Sequence, residues 1–244
     1  MKQGVFKIAE NTALTSNVYK MVLCGDVADI TASGQFINIK LDGFYLRRPI
    51  SVFDRDQNSV TIIYKVVGKG TEAMSKLLVG EELDVLTGLG NGYNTSLCCK
   101  HAVLLGGGVG VPPLYMLAKT LIAEGKKVSV ILGFNTKDEV FCKDDFKALG
   151  ADVTVTTVDG SYGVKGFVTD ALPENYDHFF TCGPEPMLRA VYKATSTSGQ
   201  FSFEERMGCG FGACMGCSCK TITGYKRICK DGPVLLKEEI LWED

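Results

Sequence analysis

The hydrophobic rhythm of this chain changes once, at His101. Before it, GVFKIAE, VYKMVLCG, QFINIKL and SVTIIYKVV alternate apolar and polar residues with period two, separated by turn-rich pieces such as DRDQNS and DGF. Such alternation gives a strand one apolar face, and a run of such strands buries those faces by closing into a small barrel. Only TEAMSKLLV, near residue 75, has helical spacing in this half. After His101 the pattern becomes short apolar runs (HAVLLGGG, KVSVILGF, DVTVTTVD, HFFTCG) interleaved with helical ones (PPLYMLAKTLIAEG, DDFKALG, EPMLRAVYKAT). Strands alternating with helices call for a parallel sheet with helices on its faces. Prolines suit the first turn of the first such helix, and Gly125 stops it.

Beyond about residue 200 neither period continues and cysteine takes over. Five of the ten cysteines fall between Cys209 and Cys229. The 244 residues thus divide into a β-barrel domain (1–98), a parallel α/β nucleotide-binding domain (99–200) and a small cysteine-rich module (201–244). A net charge of −2 gives no basic field for nucleic acid. The longest apolar run, AVLLGGGVGVPPLYMLA, is broken by glycines and prolines and fits a membrane span poorly. The N-terminus carries no apolar signal-peptide core, so a soluble, cytoplasmic protein is expected. In a reducing compartment, clustered thiols point to metal or redox chemistry rather than to disulfides. Cys24, Cys98, Cys99 and Cys142 are scattered and read as small buried hydrophobes.

Four stretches carry chemistry. In LLGGGVGVPP, Gly106, Gly107, Gly108 and Gly110 sit between a buried strand and a helix. Missing Cβ atoms let backbone approach a pyrophosphate at a helix N-terminus, although the same glycines would serve a tightly packed turn. No acid ends the next strand, ILGFNTKDE, so the common dehydrogenase fingerprint is incomplete. TCGPEPM (181–187) leaves the same sheet edge, as a ligand loop or simply a proline turn. LRRPISV and IYKVVGKGT offer Arg48 to neutralise a phosphate and Ser51 to donate to a flavin edge. They also offer Gly70 and Thr71 as backbone and hydroxyl donors to a second phosphate. Taken alone, Arg-Arg-Pro reads as a solvated strand end.

The fourth stretch is GCGFGACMGCSC. Cys209, Cys214 and Cys217 have the C-x4-C-x2-C spacing of a plant-type [2Fe–2S] loop. Four thiolates also suit structural zinc, but only one C-x2-C knuckle is present. Cys219 and Cys229 compete as fourth ligand. SCKTITGYKRIC reads as a hairpin turning at Thr223–Gly224, which returns Cys229 to the loop and favours it.

The order RPxS, GxGT, GGGxGxxP, CGPxPM resembles that of the ferredoxin–NADP reductase-like flavoproteins. With ERMGCGFGACMGC and CKDGPV added, nearly the whole chain resembles the electron-transfer subunits of NAD-dependent dihydroorotate dehydrogenases. The resemblance implies that Arg48, Pro49, Ile50, Ser51, Ile63, Tyr64, Lys65, Gly70 and Thr71 hold FAD. It implies that Gly106, Gly107, Gly108, Gly110, Gly183 and Pro184 hold NAD, with Cys182 near the hydride path. It implies too that Cys209, Cys214, Cys217 and Cys229 hold the [2Fe–2S] cluster. Two departures from the family pattern are the short interval from Cys217 to Cys229 and the spare thiol of Cys219. The implied electron path runs from cluster to FAD to NAD+, because a flavin can exchange one electron or two.

The family oxidises dihydroorotate on a separate FMN-containing TIM-barrel subunit, for which this chain has no room. The resemblance therefore implies a partner, in a heterotetramer, and Met207, Phe211 and Met215 are candidates for an apolar face toward it. Reductase subunits of a hydrogenase or of a ferredoxin-linked NAD(P) transhydrogenase share the three modules. A zinc-stabilised binding module without redox chemistry is the alternative of another class.

Overall fold

The computed structural model describes residues 1–242. Six strands, β1 (Lys2–Ala13), β2 (Val18–Cys24), β3 (Phe36–Ile39), β4 (Arg48–Arg55), β5 (Ser59–Lys65) and β6 (Glu82–Leu89), close a barrel in the order β1-β2-β5-β4-β3-β6. Their inward residues, among them Phe6, Ile8, Met21, Leu23, Ile37, Ile39, Val52 and Ile62, form one apolar core. The helix α1 (Lys69–Ser75) lies between β5 and β6 and adds Met74 to that core. Asn11 of β1 holds it by donating to the carbonyls of Met74 and Leu77, each at 2.9 Å.

Two barrel strands were not legible as such. In β4 only Val52 and Phe53 are fully buried, so no period-two pattern shows. In β6 the alternation of Leu83 and Val85 is interrupted because Leu86 and Leu89 are buried on the outer side, under the cysteine module.

The second sheet contains β7 (His101–Gly107), β8 (Lys127–Phe134), β9 (Asp152–Thr157), β10 (Val164–Lys165), β11 (His178–Cys182) and β12 (Gly199–Ser202). Its helices are α2 (Pro113–Ala123), α3 (Lys143–Ala148) and α4 (Glu185–Ala194). The last module supplies the hairpin of β13 (Ser218–Thr221) and β14 (Gly224–Arg227), and then β15 (Val234–Leu236). The sheet order is β10-β9-β8-β7-β11-β12-β15, parallel except for β15, which runs antiparallel to β12. The strand β12 straddles residue 200 and β15 lies beyond it, so the sheet runs across the division read from the sequence. These strands have only four and three residues, too few for a periodic signal.

The modules share their cores. Phe53 of β4 stacks on Tyr115 of α2 with ring centroids 4.2 Å apart, and Lys119 pairs with Asp54 at 2.9 Å. Val18, Phe53 and Ile63 belong to one apolar cluster with residues of α2 and the parallel sheet. Tyr93, in the connecting segment, donates its hydroxyl to the Thr181 carbonyl at 3.2 Å. On the barrel's other side Phe36, Leu86 and Leu89 pack with Cys217, Ile228, Cys229 and Leu235. Among the described residues, no helix is long and apolar enough to cross a membrane.

Candidate functional site

The parallel sheet reverses its winding between β7 and β11, where open α/β sheets bind ligands. Gly106 and Cys182 are register partners there, so both candidate loops leave one point of the sheet edge. A Cβ on Gly110 would lie 2.3 Å from the Cys182 carbonyl oxygen, one on Gly107 2.5 Å from Met187 Sδ, and one on Gly106 3.0 Å from Val111 Cα. These three glycines let the two loops and α2 pack. A Cβ on Gly183 would also meet Met187, at 2.6 Å, and Pro184 caps α4. Gly108 differs: its φ of +53° suits glycine, and nothing stands within 4 Å of its missing Cβ. Packing and ligand approach are thus divided among neighbours.

The first turn of α2 offers an anion little beyond its dipole. Pro112 and Pro113 have no N–H, and the amides of Val111, Leu114 and Tyr115 are bonded internally. Cys182 ends β11 opposite Ser202 of β12. Burial pushes its thiol up to about 12, against a hydrogen bond with Ser202, and the Glu204 carboxylate adds to the rise. It is therefore a neutral thiol. Ser202 and Glu204 escaped sequence reading, because FSFEERM carries no motif of its own.

The ladder between β4 and β5 covers only part of each strand. The strands β4 and β5 pair only from Val52↔Ile62 to Arg55↔Val60. Arg48, Pro49, Ile50 and Ser51 pair instead with β3, and Ile63, Tyr64 and Lys65 pair with β2. The facing edges of these two segments are not laddered to each other. Ile63 and Tyr64 are buried; the Tyr64 hydroxyl donates to Asn11 at 3.0 Å and burial raises its pKa. Their side chains serve the core, so what they offer a ligand is backbone.

Arg47 and Arg48 have different partners. Arg47 pairs with Asp84 at 2.9 Å and donates to the carbonyls of Asp84 and Asn38, bracing β3 and β6. Arg48 reaches α1 instead: a Cβ on Gly70 would lie 2.1 Å from its Nε. Its guanidinium lies 4.9 Å from the centroid of the Phe44 ring. Arg48 and Gly70 therefore form one cradle at the start of α1, fit for a phosphate. The Thr71 hydroxyl is already committed, donating to the Gly68 carbonyl at 3.1 Å and accepting from the Val67 amide at 2.9 Å. Residue 71 leaves only its backbone for a phosphate.

The thiols fall into two pairs. The amides of Ala213 and Cys214 donate to Cys209 Sγ at 3.2 and 3.4 Å, and the Cys209 amide donates to Cys214 Sγ at 3.5 Å. The Cys229 amide donates to Cys217 Sγ at 3.4 Å. Burial works to raise the Cys209 thiol, yet the backbone amides of Phe211, Cys214 and Ala213 hold it down to about 6. Burial and the Cys217 thiol push Cys229 up to about 12. Gly210 and Gly212 turn the loop at φ +78° and +92°. Among the described residues, no three His, Cys, Asp or Glu side chains close on one ion. Two thiol pairs with amides aimed at sulfur suit two irons better than one zinc.

The hairpin returns Cys229 to the loop, with its turn at Ile222–Thr223 and Gly224 as the first residue of β14, one position earlier than the spacing suggested. Cys219 sits within β13 opposite Lys226 and lines a cavity of about 570 Å³ beside α4. Phe211 and Met215 are 43% and 54% exposed at the loop's outer side.

Comparison with known proteins agrees with this geometry. Residues 204–241 match the iron–sulfur cluster binding domain of dihydroorotate dehydrogenase B, and residues 104–193 match an oxidoreductase NAD-binding domain. The electron transfer subunit of dihydroorotate dehydrogenase B (NAD(+)) from Fusobacterium nucleatum is 46% identical over 250 residues, covering 96% of each chain. That of Bacillus pumilus is 43% identical, covering 98% of each. The chain belongs to this family. Its cofactors are accordingly FAD, a [2Fe–2S] cluster and NAD, and it works with a catalytic subunit. The NADH-dependent reduced ferredoxin–NADP oxidoreductase superposes with a TM-score of 0.90 at 30% identity, covering 98% of this chain and 90% of that one. Fold alone therefore does not separate the dihydroorotate dehydrogenase subunit from this oxidoreductase. Sequence identity does.

Proposed function

We propose that this chain takes electrons from an FMN-bearing subunit that oxidises dihydroorotate, and delivers them to NAD+, within a cytoplasmic heterotetramer of pyrimidine biosynthesis. The observation that carries the reading is the position of β4. Its Phe53 and Asp54 hold α2 of the nucleotide-binding sheet, and Arg48 reaches the α1 cradle. Its Ser51 pairs with Phe36, which packs against Cys217 and Cys229. One eight-residue strand thus contacts the nucleotide-binding domain and α1 directly and the cysteine module through Phe36. When bound, the cluster supplies one-electron chemistry, nicotinamide two-electron chemistry and the flavin both, so the flavin has to stand between the others.

The chain's own residues then have separable tasks. Arg48 and the Gly70 amide neutralise the FAD diphosphate, while Pro49 to Ser51 and the backbone of Ile63 to Lys65 border the ring. Gly108, Gly183 and Pro184 border the nicotinamide nucleotide. Cys182, held neutral, lines the path between the two without adding charge. Cys209 with Cys214, and Cys217 with Cys229, hold the cluster, and Phe211 and Met215 face the partner. We propose three modules, 1–98, 99–200 and 201–244, the third sharing the sheet of the second. The test uses the purified chain alone: it reduces an artificial acceptor with NADH and leaves dihydroorotate untouched. Dihydroorotate oxidation by the isolated chain would overturn the reading.

A further inference from the structure

One peptide group of the cysteine loop is held from both ends. Its N–H, that of Ala213, donates to Cys209 Sγ at 3.2 Å. Its carbonyl, that of Gly212, accepts from Arg227 Nη1 at 2.8 Å. In a trans peptide the carbonyl and the N–H point in opposite directions, so whatever grips one aims the other. Arg227 ends β14, opposite Ser218 of β13, and is itself tied at several points. Its Nε and Nη2 donate to the two Asp231 carboxylate oxygens at 3.0 and 3.4 Å, and its backbone N–H donates to Asp231 Oδ2 at 3.0 Å. Its carbonyl accepts from the Asp231 amide at 2.7 Å. Such a fork has a fixed direction. The residues that follow hold the other thiol pair: Ile228 N donates to the Cys217 carbonyl at 3.1 Å and Cys229 N to Cys217 Sγ at 3.4 Å. Arg227 therefore links the segment that returns Cys229 to the loop that carries Cys209 and Cys214. The Arg227 and Asp231 side chains are 25% and 34% exposed, so their ion pair contributes little to global stability. Its effect is local.

We propose that Arg227 is a positioning residue for the cluster: by gripping the Gly212 carbonyl it keeps the Ala213 N–H aimed at Cys209 Sγ, and so sets the cluster's reduction potential. This rests on the reading of Cys209, Cys214, Cys217 and Cys229 as the ligands. Hydrogen bonds to sulfur are among the factors that set the potential of an iron–sulfur centre. A donor stabilises the reduced cluster, which carries one more negative charge, more than the oxidised one. A cation on the carbonyl also polarises the peptide and strengthens its N–H as a donor. Loosening the grip therefore makes the cluster harder to reduce.

Two substitutions of opposite charge effect test this in the full chain with its cofactors loaded. Arg227→Gln removes both the cation and the fork. Asp231→Asn keeps the cation and removes a negative charge, but takes away the anchor that directs the fork. Both should retain parental iron and acid-labile sulfide. In a redox titration followed by electron paramagnetic resonance, Arg227→Gln should lower the equilibrium constant for cluster reduction about tenfold, which is about 59 mV for one electron. Asp231→Asn should lower it as well, by a smaller amount. Charge alone predicts the opposite sign for Asp231→Asn, since removing a negative charge eases reduction. The exchangeable-proton coupling to the reduced cluster, read by electron–nuclear double resonance, should weaken in both. Three results would overturn the proposal: a parental potential in Arg227→Gln, a raised potential in Asp231→Asn, or iron content and melting temperature falling together in both. The last would make Arg227 merely structural. Cys209→Ala, measured alongside, separates the two inferences. If it loses iron and sulfide while Arg227→Gln keeps the parental potential, the ligand set stands and the role of Arg227 falls. If Cys209→Ala keeps a full cluster, the ligand assignment itself falls.

Discussion

Arg47 and Arg48 are adjacent in sequence, yet one is paired with Asp84, while the other, whose Nη1 donates to the carbonyls of Leu46 and Arg47, lies over a glycine at a helix start. Arg48→Ala is expected to lower FAD affinity by about 10- to 100-fold, since a hydrogen bond to a charged group contributes roughly 1.5–3 kcal/mol. Arg47→Ala should reduce stability and leave FAD affinity near the parent value. Flavin release on gel filtration and a denaturant titration check the two halves. The thiols give a second contrast. Cys229 donates its amide to Cys217 Sγ, whereas Cys219 lies in a strand with its thiol raised by burial. Iron and acid-labile sulfide should fall in Cys229→Ala and persist in Cys219→Ala; full cluster content in Cys229→Ala would reverse the assignment. The thiol spacing was readable because ligand geometry constrains sequence directly. Ser202 was not, since it meets Cys182 only through strand register, and Glu204 follows just past that strand.

Long periodic elements were legible: α2, α4, β7, β8 and β9 stand where their spacing put them. What escaped were β4, whose partly buried face is covered by other modules, β6, whose alternation is broken by Leu86 and Leu89, and the short strands β12 and β15, which pair across the chain. The loop after β8 shows how an element can supply what a motif lacks. No acid ends that strand, but a 3-10 turn folds Glu139 back, so that its carboxylate accepts from Asn135 N at 3.2 Å and Nδ2 at 2.9 Å. Asp138 adjoins it. A carboxylate at that sheet edge repels the 2′-phosphate of NADP. NADH should therefore be preferred over NADPH in dye reduction, by specificity constant, and Glu139→Gln should narrow the gap. Equal constants for the parent protein would contradict this.

At the scale of the whole molecule the modules are joined by shared apolar clusters rather than by linkers. Phe53 is 7% exposed and stacked on Tyr115, so Phe53→Ala should cost about 3–5 kcal/mol. The neighbouring Lys119–Asp54 pair has its lysine 50% exposed, and Lys119→Ala should cost less than about 1 kcal/mol. Chemical denaturation followed by both fluorescence and circular dichroism measures both, and the reverse ranking would mean that the ion pair, not the stack, holds the sheet domain to the barrel. Such fixed contacts matter because electrons pass between sites on different modules. The most direct measurement is dihydroorotate-dependent reduction of NAD+ after mixing this chain with the catalytic subunit. It is made once with the parent protein and once with Cys214→Ala. The account predicts turnover with the parent, none with Cys214→Ala, and a largely preserved NADH-to-dye reaction in both. Coupled turnover that survives loss of the cluster would show that electrons bypass the cysteine module.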